Sequence, residues 1–83
     1  MPRLTIYSKA ECHLCEEMKA VVKRVASAVE HISVEEIDIS GDPALVNRYG
    51  LEIPVLMIDG REVAKYRIAE AELLKRLGVG GTG

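Results

Sequence analysis

The chain has little of what defines several large classes of protein. It carries two cysteines, three prolines, no glutamine and one asparagine, Asn47. No apolar run is long enough to cross a bilayer. No charged leader with an apolar core and a small-residue cleavage site opens the sequence. The expectation is therefore a cytoplasmic protein with no membrane partner. Eleven Lys and Arg face thirteen Asp and Glu with the signs interspersed, and no basic run tracks a phosphate backbone. No nucleic-acid partner is expected. No internal repeat or low-complexity stretch divides the 83 residues, so one domain is expected over 1–78, followed by a flexible tail at 79–83.

A chain this short sits near the lower limit for a self-sufficient core. Its hydrophobic content of 48% is nonetheless that of a globular protein. The cysteines do little to help as a staple. A disulfide between Cys12 and Cys15 closes a loop too small to remove much entropy from the unfolded chain. They call for a chemical explanation.

Residues 3–7 alternate and are β-prone, which reads as a first strand. From Cys12 the spacing becomes helical: Cys15, Met18, Val22, Val25 and Val29 recur every three or four positions, with Glu16, Glu17, Lys19, Lys23 and Arg24 mainly on the polar side. Ser33 to Ile39 reads as a second strand. Asp42-Pro43 is a helix start, with Asp as N-cap and Pro at the first helical position, and Gly50 is the matching stop. Pro54 to Asp59 is almost wholly apolar, as in a strand buried on both faces. Asp59-Gly60 is a type I′ hairpin signal, Arg61 to Tyr66 the returning strand, and Ala69 to Leu77 a last helix capped by Gly78. The order is β-α-β-α-β-β-α, an α/β class. Right-handed crossovers place strands 1, 2 and 3 parallel with strand 4 antiparallel, in a four-stranded mixed sheet with helices on both faces.

Cys12 and Cys15 lie one turn apart at the start of the first helix. Residues three apart face the same way with Cβ atoms about 5–6 Å apart, and small adjustments bring them to bonding distance. Cys12 is outermost, among unpaired backbone N–H groups at the positive helix end, and is expected to be the thiolate nucleophile, its pKa below that of a free cysteine. Cys15, more shielded, resolves the mixed disulfide. Lys9 and a protonated His13 favour the thiolate; Glu11, Glu16 and Glu17 oppose it. His13 is expected to modulate the thiolate. A zinc centre wants four ligands, and His31 falls about 25 Å from the pair at the far end of a helix of about 18 residues. No metal site is expected within one chain.

Pro54 opens an apolar strand, a place where proline is tolerated at the first residue or beside a bulge. A cis Ile53–Pro54 bond turns the Ile53 backbone toward Cys12, offering an N–H and a C=O to an extended chain. The expectation is cis.

Tyr7-Ser8-Lys9-Ala10-Glu11-Cys12 resembles the glutaredoxin stretch Tyr-Ser-Lys-x-x-Cys, and Ile53-Pro54-Val55 resembles that family's Val-Pro signature. The likeness runs from about residue 3 to residue 78 and implies a minimal thioredoxin (glutaredoxin-like) fold. Two departures stand out. His13-Leu14 replaces the usual Pro-Tyr between the cysteines, resembling a small glutaredoxin-like branch, and Ala64-Lys65-Tyr66-Arg67-Ile68 lacks the glycine pair that holds the glutamyl end of glutathione. The resemblance implies a thiol–disulfide oxidoreductase acting on protein or glutathione disulfides. Lys9 would lie near the substrate carboxylate, and Ile53 and Pro54 along the substrate backbone. No bound cofactor is expected, glutathione being a co-substrate, and a thioredoxin, glutathione or flavin reductase would donate electrons to a monomer. The alternatives are a carrier of a metal or iron–sulfur cluster on the cysteine pair, and a redox-sensing adaptor without turnover.

Overall fold

The alternation in the first strand decides how the sheet divides. In β1 (Arg3–Ser8), Leu4, Ile6 and Ser8 turn to one face and are buried, while Thr5 and Tyr7 turn to the other. The computed structural model describes residues 2–78, so the tail expected at 79–83 lies outside the described residues. After β1 come α1 (His13–Ala28), β2 (Ser33–Asp38), a 3-10 turn (Ile39–Gly41), α2 (Pro43–Tyr49), β3 (Val55–Ile58), β4 (Arg61–Lys65) and α3 (Glu70–Arg76).

The four strands lie in the order β2-β1-β3-β4. β2 runs parallel to β1, from Arg3 beside Ser33 to Ser8 beside Asp38, with α1 as the crossover. β3 is antiparallel to β1, with Tyr7 opposite Val55 and Leu4 opposite Ile58. This corrects the expectation that strands 1, 2 and 3 are all parallel. The reason lies in the length of α2. Seven helical residues advance about 10 Å, whereas a six-residue strand spans about 20 Å. The connection stays at the end of the sheet where β2 finishes, and β3 starts there and runs back. β4 then returns antiparallel, with a register shift between Leu56 and Met57. Asp59 and Gly60 turn the hairpin at φ of 49° and 85°, the left-handed pair a type I′ turn requires.

Each face of the sheet carries its own core. Leu4, Ile6 and Leu56 meet Met18, Val22 and Val25 of α1 and Leu73 of α3. On the other face Val55 meets Ile39 and Tyr49, with Tyr7, Leu45, Ile53 and Met57 packed around them. Tyr7 and Tyr49 stack there at 4.8 Å between ring centroids.

Two helix ends differ from expectation. α1 has 16 residues and stops at Ala28, because Val29 adopts an extended backbone and packs with Ile32 against the α1–α3 core. His31 therefore sits in the following turn, at φ of 65°. Gly50 closes α2 in a right-handed conformation rather than a left-handed cap. Glycine is needed for another reason: a Cβ there would lie 2.5 Å from the Val46 carbonyl oxygen.

Candidate redox site

The antiparallel course of β3 gathers the chemistry at one rim of the sheet. That rim carries the carboxyl ends of β1, β2 and β4, the start of β3 and the start of α1. Cys12 is the N-cap of α1, with extended backbone angles, and the N–H of Cys15 donates to its sulfur at 3.1 Å. The sulfur thus fills the capping role that a Ser or Asp oxygen usually plays, at the positive end of a four-turn helix. Cys12 and Cys15 are joined as a disulfide, with Cα atoms 5.1 Å apart. Cys12 is half-buried and Cys15 is wholly buried on the inward stripe of α1. The outer and inner positions read from the helical spacing are the ones observed.

Charges at the helix start are largely neutralised in pairs. His13 is exposed, and its Nε2 approaches Glu17 Oε2 at 3.0 Å, an ion pair when the ring is protonated. Lys19 Nζ lies 2.6 Å from Glu16 and 2.9 Å from Glu36. The second carboxylate also accepts from Ser8 Oγ at 3.0 Å. Ser8 is the one buried polar residue among the described residues. Its hydroxyl ties the end of β1 to β2 just before the loop that carries Cys12. The hydrogen bonds from Lys19, and then Ser8, hold the Glu36 carboxyl below the usual carboxylate range. Glu16 and Glu36 in turn hold the Lys19 ammonium above the usual lysine range. Two of the three carboxylates expected to oppose a thiolate at Cys12 therefore face a basic partner.

Pro54 is buried at the entry to β3, and the Ile53–Pro54 bond is cis. The next residue, Val55, pairs with Tyr7, which places Ile53 and Pro54 at the same rim as the cysteine loop. Lys9, exposed at the end of β1, stands over a groove of about 320 Å³ lined also by Ile39, Ser40, Val46, Gly50 and Leu51. So the structure brings Cys12, Cys15, Lys9, Ile53 and Pro54 to one end of the molecule. His31 lies beyond the far end of α1, and no three His, Cys, Asp or Glu side chains cluster as metal ligands among the described residues.

Sequence reasoning missed the segment that fastens the Pro54 loop. Tyr66 N–H donates to the Pro54 carbonyl at 2.8 Å, and its phenol donates to the Leu51 carbonyl at 3.2 Å. Lys65 Nζ lies 3.4 Å from Glu52, which raises the lysine pKa. A tyrosine and a lysine at a strand end give no distinctive pattern. Only the missing glycine pair marked the place.

The family model of the glutaredoxin-like domain (DUF836) matches residues 3–78. The chain belongs to the glutaredoxin-like domain family. Solved structures share its fold. A structural-genomics target protein from X. campestris is 29% identical, with a TM-score of 0.75 over 90% of this chain and 95% of that one. The NTD_N/C domain of the alkylhydroperoxide reductase AhpF from Enterococcus faecalis is 27% identical, with a TM-score of 0.76 over 92% of this chain and 37% of that one. Chloroplastic thioredoxin z, 16% identical over 94% of this chain and 76% of that one, shares the fold at a TM-score of 0.78. This glutaredoxin-like domain thus has the minimal thioredoxin fold, and its Cys-x-x-Cys pair stands at the first strand-to-helix junction.

Proposed function

We propose that the protein is a thiol–disulfide oxidoreductase that reduces disulfides through the Cys12–Cys15 couple. The observation that carries the reading is the capping geometry: a half-buried Cys12 sulfur receives the Cys15 N–H at 3.1 Å, with Cys15 wholly buried behind it. A thiolate at Cys12 gains from that donor and from the helix end. It attacks one sulfur of a substrate disulfide, forming a Cys12–substrate bond and releasing the other substrate sulfur as a thiolate that takes a proton from solvent. Cys15, deprotonated, then attacks Cys12 Sγ. The second substrate thiolate leaves and is protonated, and the pair is left as the observed disulfide. Two electrons pass from the dithiol to the substrate. A thioredoxin, glutathione or flavin reductase returns them.

The domain likeness to part of an alkylhydroperoxide reductase supports a place in a reductive electron chain. Cytoplasmic location and action as a monomer belong to this reading. The test is equilibration of the protein in glutathione buffers of set potential, with thiol trapping. The expected result is a two-electron transition at or below the cytosolic glutathione poise of about −220 to −260 mV. A pair that stays reduced across the whole range would contradict the dithiol mechanism and favour a metal-carrying role.

A further inference from the structure

Tyr66 has φ of 69°, and the Arg67 N–H donates to the Lys65 carbonyl at 2.7 Å, closing a three-residue γ-turn around it. The positive-φ form of that turn is rare and strained. A bulky residue there is a real outlier, and such outliers persist where the surroundings hold them in place. Glycine would adopt this backbone without strain but would lack the side chain. That side chain crosses from the end of β4 to the Leu51 carbonyl, over the loop that leads into Pro54.

The crossing has a consequence at the surface. Leu51 is 95% exposed, Tyr66 45% and Val46 44%. These are three of the four large hydrophobic residues left exposed among the described residues. Leu51 and Val46 line the groove beneath Lys9, and Leu51 stands two residues before Ile53. Among the described residues Lys9, which lines the same groove, makes no ion pair. Apolar side chains two residues from a main-chain ledge, with the Lys9 ammonium on the same groove, are complementary to an extended polypeptide that carries apolar and acidic side chains. A small hydrophilic disulfide would leave Leu51 and Val46 in water.

We propose that Tyr66 and Leu51 form a specificity-determining lip, selecting disulfides set in an extended polypeptide with an apolar side chain next to the reacting cysteine. The proposal rests on the oxidoreductase reading, because it assigns the substrate class to that same site. Tyr66 acts by fixing Leu51 and the Pro54 loop; Leu51 supplies the contact. Burying a leucine-sized apolar contact is worth roughly tenfold or more in affinity.

The experiment compares kcat/KM for two disulfide-linked peptides that differ only in Leu or Ser before the cysteine, with bis(hydroxyethyl) disulfide as a third substrate. The native protein is expected to prefer the Leu peptide by roughly tenfold, mainly through KM. Leu51→Ser, at an almost fully exposed position, should bring that ratio near one, and Tyr66→Ala should lower it severalfold. Equal treatment of the two peptides by protein that reduces bis(hydroxyethyl) disulfide would overturn the lip alone, as would a ratio untouched by both substitutions. Failure on all three substrates would overturn the redox reading and the lip with it.

Discussion

The two faces of the sheet are built to different depths. On the α1–α3 face seven residues, Leu4, Ile6, Met18, Val22, Val25, Leu56 and Leu73, are at most 1% exposed and pack as one cluster. On the α2 face the buried cluster among the described residues is Ile39, Tyr49 and Val55, and Val46 and Leu51 are left in water. So short a chain has apolar material for one thick core, not two. The thick core anchors the helix that carries Cys12 and Cys15. The thin face carries the groove at the rim, lined by Lys9, Val46 and Leu51. The same sheet thus offers a fixed platform on one side and an open surface on the other.

Core truncation tests that contrast most strongly. Leu56→Ala, on the thick face, is expected to cost about 2–5 kcal/mol. Val46→Ala, on the thin face, should stay within about 0.5 kcal/mol, since its side chain is 44% exposed. Denaturant unfolding of both variants measures the difference, and equal losses would mean the faces contribute alike.

A smaller effect falls on the cap of the thin face. Asp42 accepts from the Ala44 and Leu45 N–H groups at 3.0 and 3.3 Å, so Asp42→Ala should cost about 1 kcal/mol. The same unfolding assay reads it, and m should be unchanged, because only α2 loses its cap.

The smallest expected effect depends on pH. Lys19 first and Ser8 second hold the Glu36 carboxyl below its ordinary value of 4.5. A carboxyl with a lowered folded-state pKa stabilises the fold above its unfolded value, and that contribution fades as pH falls through the lowered one. The Tm gap between the native protein and Glu36→Gln should therefore be present at pH 7, begin to shrink below pH 4.5 and close in stronger acid. A gap that does not vary with pH would mean that the charge on Glu36 plays no part.

The sequence disclosed the thick face more fully than the thin one. The stripe Cys15, Met18, Val22, Val25 named the inward side of α1, and the alternation of β1 named its partners, because both periods are local. The Asp42-Pro43 start and the Asp59-Gly60 turn were equally legible, each being a dihedral requirement met by two adjacent residues. The direction of β3 was not. It depends on how far α2 travels relative to the length of a strand, a quantity that belongs to the assembled fold. The Ser8–Glu36–Lys19 network was hidden because its members come from three separate elements. Tyr66 was hidden because nothing in the local pattern of Lys65-Tyr66-Arg67 announces a left-handed backbone.

At the site the same distinction holds. The outer and inner positions of Cys12 and Cys15 followed from one helical turn, and the position of Pro54 from its place at the head of an apolar run. What fastens that loop came only with the contacts to Leu51 and Glu52.

The most direct test of the account is to react Cys15→Ser and Cys12→Ser proteins with a peptide disulfide and read the products by intact mass. The account predicts a stable mixed disulfide on Cys12 in the Cys15→Ser protein and none on Cys15 in the Cys12→Ser protein. An adduct formed on Cys15 instead, or none in either variant, would contradict it.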